Sequence, residues 1–213
     1  HFPEEFDVYA LSCNQNTDLL EKQIEEFSPS VVSVGDEKKR GAFSFKRKES
    51  IESIAKDENV DIVVFAMSGM RGIEAAFIAA KHKKIIAIAN KEILVCAGES
   101  FMSLCREENL QVYSLDNEQS ALHQSLNGEK KEEVDKLILT ASGGPFYKTE
   151  DFSNLTVKDA IKHPNFQCGN KIAINCSTLM NKGLEMIEAK HFFQLENIDV
   201  VIHLAGISND PLN

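Results

Sequence analysis

Short apolar runs alternate with stretches of helical period through the first half of the chain, the pattern of a parallel α/β sheet. Residues 6–13 (FDVYALSC) read as a strand, and 17–27 as a helix whose apolar positions Leu19, Leu20, Ile24 and Phe27 share one face. Residues 31–34 give a second strand and 61–66 (DIVVFA) a third, bounded by Gly69. A helix over 72–81, a buried strand over 85–89, a long helix over 91–107 and a strand over 111–115 complete this half. The second half breaks the alternation. Strands at 136–141 (KLILTA) and 199–203 (DVVIH) are separated by a long stretch with a Gly-Gly-Pro turn, a His-Pro turn and a helix near 178–193. The charged runs 37–48 and 128–135 (GEKKEEVD) read as surface loops. The expected class is α/β: an incomplete parallel sheet over 1–114, then an α+β domain over 115–213.

Composition narrows the partners. The 213 residues suffice for one large or two small domains, each with its own core. A net charge of -10, from 33 acidic and 23 basic residues, argues against a general nucleic-acid binder, which needs a basic face. A phosphorylated small molecule needs only a local group of donors, so the charge does not exclude one. Cys13, Cys96, Cys105, Cys168 and Cys176 contain no CxxC pair and read as scattered thiols of a reducing compartment. No apolar run approaches the roughly 18 residues of a membrane span, and the N-terminus has no signal-peptide core. No membrane partner is expected. The first residue is His, so the native chain is expected to begin earlier.

Several polar residues sit where chemistry could use them. Asp116 and Glu118 follow an apolar strand at i, i+2 spacing, which points both carboxylates to one side if extended geometry persists. Paired hard oxygens suit Mg²⁺ or Mn²⁺; the alternative is a helix start, where acids offset the dipole. On a helix, Asn181 and Lys182 lie one turn before Glu185, either as part of a metal and phosphate site or as a solvated Lys182–Glu185 salt bridge. Ser142-Gly143-Gly144 after a strand can offer an anion backbone donors and a hydroxyl, or be a plain turn. His163, before Pro164, lies on a loop or turn. Lys91 follows a buried strand at the edge where open α/β sheets bind ligands, or begins a solvated helix.

The order of the motifs says more than any one of them. AIANKEILV, SLDNEQSALHQSL, LTASGGPF, HPNFQCGNKI and STLMNKGLEMIEA occur in this sequence in the order and approximate spacing of the 1-deoxy-D-xylulose 5-phosphate reductoisomerases, a family that the chain resembles from about His1 to His203. The resemblance implies a partial NADPH-binding Rossmann-like domain over 1–114 and a metal- and substrate-binding catalytic domain over 115–213. It implies Asp116, Glu118 and Glu185 as ligands of Mn²⁺ or Mg²⁺, with Co²⁺ as a further option. Substrate contacts are implied for Lys91, Asn117, Ser142, His163, Cys176, Asn181 and Lys182, with Lys91, Glu118 and His163 in catalytic roles. NADPH contacts are implied for Asn14, Asn16, Gly69, Asn90 and Glu92. The implied reaction is a metal-assisted isomerisation of 1-deoxy-D-xylulose 5-phosphate followed by NADPH-dependent reduction to 2-C-methyl-D-erythritol 4-phosphate, in non-mevalonate isoprenoid synthesis. Such a family member is expected to be a homodimer, bacterial and cytoplasmic, or plastid if eukaryotic.

The chain also departs from the family pattern. It opens after the position of the family's GSTGSIG-type loop, which cradles the NADPH pyrophosphate, so weaker NADPH binding than in a full-length relative is expected. The family's C-terminal helical domain is likewise expected to be absent. Asn14-Gln15-Asn16 stands where many members carry a Gly-Lys-Asn type sequence near the 2′-phosphate. Asn117 and Gln119 replace the Ser and His of DSEH, Phe166 replaces a Trp of the lid, and Cys176 replaces a phosphate-binding Ser. After His203 the pattern HPQS gives way to HLAGISNDPLN. Two other readings stay open: a catalytically impaired remnant that binds metal or phosphate, and a different NAD(P)-dependent oxidoreductase.

Overall fold

The computed structural model describes residues 2–141, 144–146, 148–162, 169–194 and 203–204. Two compact units divide it, His1–Tyr113 and Ser114–Asn213. In the first, β1 (Ala10–Cys13) leads through α1 (Thr17–Phe27) to β2 (Val31–Val34). The Asn16 side chain starts α1 by accepting from the Leu19 N–H, and Ser28 ends it in the left-handed conformation. Leu20 carries the buried face of α1 onto Val32, Val34 and Phe43, with Leu11, Cys13, Ile24 and Phe45 packed around them. The strand expected over 6–13 is shorter than the apolar pattern, because only 10–13 pair with β2, in parallel.

Residues 37–48 are not the loop expected. They contain α2 (Glu37–Ala42), whose N-cap Asp36 accepts from the Lys39 N–H, and Lys48 bridges to Val32. α3 (Ile51–Ala55), capped by Ser50, follows. Next come β3 (Ile62–Phe65), a 3-10 turn at Met70–Gly72, α4 (Ile73–Lys81), β4 (Ile85–Ile88), α5 (Lys91–Glu107) and β5 (Val112–Ser114). α4 buries Ala75, Ala76, Ala79 and Ala80. A face of small residues lets α4 lie close to its neighbours, and Phe77 meets Phe101 of α5 edge-on at 5.5 Å. The strands of this unit form two ladders, β1-β2 and β3-β4-β5, where one sheet was expected. Side chains tie the two together at both ends. The Tyr9 hydroxyl donates to Asp57 at 3.1 Å, and Arg71 Nη1 donates to Asn14 Oδ1 at 2.8 Å.

In the second unit α6 (Asn117–Leu126), β6 (Thr140–Ala141), α7 (Val157–Ala160), α8 (Asn170–Ser177), α9 (Met180–Phe193) and β7 (His203–Leu204) follow in order, with a 3-10 turn at Lys131–Glu133. β6 and β7 pair in parallel, Thr140 opposite His203. The strand expected over 136–141 shrinks to its last two residues. Leu137 and Leu139 instead pack on Leu122, Met186, Ala189 and Phe193, so that apolar run is satisfied by helices α6 and α9 and not by a ladder. The helix expected from 178 starts at Met180, and α8 was not expected at all. Of the strand expected over 199–203, residues 199–202 lie outside the described residues. Among the described residues no helix is long and apolar enough to cross a membrane.

Candidate metal centre

Strand β5 ends at Ser114, and the chain turns at once into α6. The strand geometry expected for Asp116 and Glu118 therefore does not persist. Asp116 is the N-cap residue of α6, in extended conformation and without a capping bond from its side chain, and Glu118 lies in the first turn. The helix-start reading holds, since the N-terminal dipole favours carboxylates there, and the two acids stay close to each other. α9 supplies the third acid. Oxygens of Asp116, Glu118 and Glu185 all lie within 4.8 Å of one another.

Three carboxylates this close need a cation, and Lys182 provides one. Its ammonium donates to Glu118 Oε1 at 2.9 Å and contacts Glu185 Oε2. Asn181 Nδ2 contacts the other oxygen of Glu185, one helical turn away. The expected alternative of a solvated Lys182–Glu185 bridge does not hold, since Lys182 is 3% exposed and Glu185 1%. Gln119 is wholly buried, and its Nε2 donates to the Glu185 backbone carbonyl at 2.7 Å, fastening α6 to α9 beside the acids. Gln119 Oε1 accepts no hydrogen bond.

This donor set suits a hard divalent cation. All three groups are carboxylates, and oxygens bound to one Mg²⁺ at about 2.1 Å span at most about 4.2 Å. A small closure of the side chains brings the trio to that size and leaves the remaining coordination positions to water or substrate. Soft metals are disfavoured by the same all-oxygen set.

The residues expected around a phosphate fall in three places. Ser142 and His163, like the lid residue Phe166, lie outside the described residues. Gly144 of the same Gly-Gly turn packs against the last turn of α8: a Cβ there would sit 2.8 Å from the Cys176 carbonyl oxygen. Gly144 is thereby held against the end of α8. Asn117 is exposed in the first turn of α6. Asn181 and Lys182 are both engaged by Glu185, as above.

In the first unit the expected cofactor residues cluster at strand ends. Asn14 follows β1 and accepts from Arg71, while Asn16 is the α1 N-cap. Asn90 is buried and clamps three backbone groups. Its Nδ2 donates to the Met67 and Gly69 carbonyls, and its Oδ1 accepts from Ile93 N–H, starting α5. Lys91 and Glu92 form the first turn of that helix. Gly69, at φ 85, adopts a backbone conformation that side chains disfavour. An open cleft of ≈ 590 Å³ is lined by Asn14, Gln15, Gly35, Asp36, Glu37, Lys38 and Arg71. The Asp36 carboxyl is held below the usual range chiefly by the Lys39 backbone N–H.

Glu188 and Arg71 were not singled out by the sequence, and Gln119 was noted only as a departure from the DSEH pattern. Glu188 is fully buried on α9, one turn beyond Glu185. The helical period of NKGLEMIEA places Glu185 and Glu188 on one face, and that was the available signal.

Parallel strands with polar residues at their carboxyl ends, and a separate unit with a cluster of three carboxylates, define a Rossmann-type α/β chain. Comparison with known proteins specifies the family. Residues 1–98 match the model of the 1-deoxy-D-xylulose 5-phosphate reductoisomerases, and residues 112–193 match that of their C-terminal domain. A reductoisomerase from Caldanaerobacter subterraneus subsp. tengcongensis is 46% identical over 216 residues, which cover 96% of this chain and 56% of that protein. One from Ruminiclostridium cellulolyticum is 43% identical over 214 residues, 94% of this chain and 56% of that protein. A crystal structure of DOX-P reductoisomerase in complex with NADPH, fosmidomycin and magnesium superposes with a TM-score of 0.81 at 33% identity, over 95% of this chain and 56% of that one. The Zymomonas mobilis enzyme in complex with NADPH gives 0.80 at 30% identity, over 94% and 55%. The chain belongs to the 1-deoxy-D-xylulose 5-phosphate reductoisomerase family. It spans about half the length of the curated relatives it matches.

Proposed function

We propose that this chain serves the reductoisomerase reaction of its family, NADPH-dependent conversion of 1-deoxy-D-xylulose 5-phosphate to 2-C-methyl-D-erythritol 4-phosphate. The observation that carries this reading is the convergence of Asp116, Glu118 and Glu185 on one oxygen-donor site. When bound, a divalent cation supplies Lewis acidity at the substrate's oxygens and NADPH supplies the hydride. Asp116, Glu118 and Glu185 would hold that cation, and Gln119 would hold the Glu185 backbone in register. Ser142, His163, Asn181, Lys182 and the residue at 176 would bind the phosphate, so that binding energy at the remote end orients the reacting end. Asn117 and Lys91 would contact the substrate's polar groups. Asn14, Asn16, Gly69, Asn90 and Glu92 would shape the NADPH site at the strand ends of the first unit. The 1–114 and 115–213 segments would thus be the cofactor and the metal–substrate domains, in a homodimer.

Calorimetry with Mg²⁺ on the protein and on Glu185→Gln tests this. Loss of a residue that only supports a ligand costs about 10–100-fold in metal affinity, and loss of a ligand should cost at least that. Equal Mg²⁺ affinity in the two proteins would remove the metal assignment. Oxidation of NADPH that requires both 1-deoxy-D-xylulose 5-phosphate and Mg²⁺ is the expected activity. Binding of Mg²⁺ and phosphate with no such oxidation would assign a ligand-binding role instead, the reading to which Cys176 and Asn117 point.

A further inference from the structure

Lys182 stands in two places at once if the family roles are taken literally. The proposed function gives it a phosphate, yet its ammonium lies between Glu118 and Glu185, inside the carboxylate group that would take the divalent cation. At 3% exposure its ammonium faces the two acids and not solvent. The two occupants compete for the same carboxylates. The ammonium already contacts Glu118 Oε1 and Glu185 Oε2, oxygens of two of the three acids that a divalent cation would use. Retaining the ammonium beside that cation would place like charges a few ångströms apart in a buried setting, where such contacts are costly. Asn181, which also holds Glu185, is neutral and can remain.

We infer that Lys182 is the resident counter-cation of this site, that a divalent cation exchanges with it, and that the released ammonium is what meets the substrate's phosphate. This rests on the metal reading above and adds to it a coupling: cation binding prepares the anion site, and by reciprocity the anion favours the cation. The long, flexible lysine stem suits the move, since a point charge can be re-aimed where a planar guanidinium could not. The metal-free protein then keeps its lysine on Glu118 and Glu185 until a divalent cation displaces it.

The test is acetylation of the protein by acetic anhydride, read at Lys182 by mass spectrometry, without Mg²⁺, with Mg²⁺, and with Mg²⁺ and inorganic phosphate. Labelling should rise severalfold with Mg²⁺ and fall again with phosphate. In parallel, Lys182→Met should bind Mg²⁺ more tightly than the original, by a factor within the range of about 5 to 150 that couplings of this kind span. Unchanged labelling of Lys182 while calorimetry shows Mg²⁺ bound in a Glu185-dependent way overturns the exchange and leaves the metal site standing. An equal or weaker Mg²⁺ affinity in folded Lys182→Met does the same. Absence of Glu185-dependent Mg²⁺ binding overturns both. If the Met variant does not fold, the labelling of the original protein decides alone.

Discussion

Gly144→Ala puts the contact between Gly144 and the end of α8 to the test. Gly144 has a φ of +61, and a Cβ on it would meet Cys176 O at 2.8 Å, Cys176 C at 2.9 Å and Ser177 N at 3.0 Å. All three are backbone atoms, so no side-chain rotation relieves them. The left-handed conformation costs alanine about 1–2 kcal/mol, and forcing extra volume into a packed contact costs about 1–3 kcal/mol more. Together the loss should be roughly 2–5 kcal/mol. For a unit of 100 residues, that lowers Tm by at least about 8 °C. Gly183 is the internal control. It lies inside α9 with nothing within 4 Å of its added Cβ, so Gly183→Ala should gain about 0.5–1 kcal/mol from helix propensity. Thermal unfolding followed by circular dichroism reads both. A Gly144→Ala protein that melts with the original, or two alanines that behave alike, would refute the close approach. If Ser142 binds phosphate as proposed, the same variant should weaken phosphate binding, because Ser142 is only two residues away in sequence.

Two further expectations are independent of that substitution. Cys176→Ser should tighten binding of inorganic phosphate by about 2- to 10-fold, the range of one improved hydrogen bond, and equal affinities would remove position 176 from the anion site. Iodoacetamide at neutral pH should modify exposed Cys96 and spare Cys105, which is buried on the inner face of α5 with its thiol pushed up to about 11 by burial. Peptide mapping that finds Cys105 modified before denaturant is added would contradict that packing.

The elements most legible in the sequence were those with both a cap and an apolar stripe. α1, β2 and α5 begin and end where their patterns predict, with Asn16 and Asn90 capping the two helices. α2 and α3 escaped because five or six residues give no measurable period, and their starts depend on the side chains of Asp36 and Ser50. α8 buries only Ala173, so no stripe announces it. The run 136–141 misled in the opposite direction. Its apolar run Leu137-Ile138-Leu139 was real, but Leu139 found its partners on α6 and α9, and an apolar run does not say which neighbour will satisfy it.

The candidate site divides along the same line. Asp116, Glu118 and Glu185 were legible through their motifs, whereas the strand spacing first offered as the reason for pairing two of them was not the geometry that pairs them. The environment of Lys182 was not legible, because its second carboxylate lies 64 residues away in sequence. Local spacing correctly placed Lys182 against Glu185 but assigned that pair to solvent. Burial changes what the pair means. An exposed bridge is worth little and could be lost without consequence, while a buried ammonium between two buried or half-buried acids is held by them and in turn holds their charge. Gln119 completes that enclosure from α6 through the Glu185 carbonyl, and its own carbonyl oxygen, buried and accepting no hydrogen bond, adds a further negative edge on that side. A cluster of such composition favours a cation. Which cation it holds is then set by what is present in solution, and that is why the behaviour of Lys182 with and without Mg²⁺ is the most informative measurement on this chain.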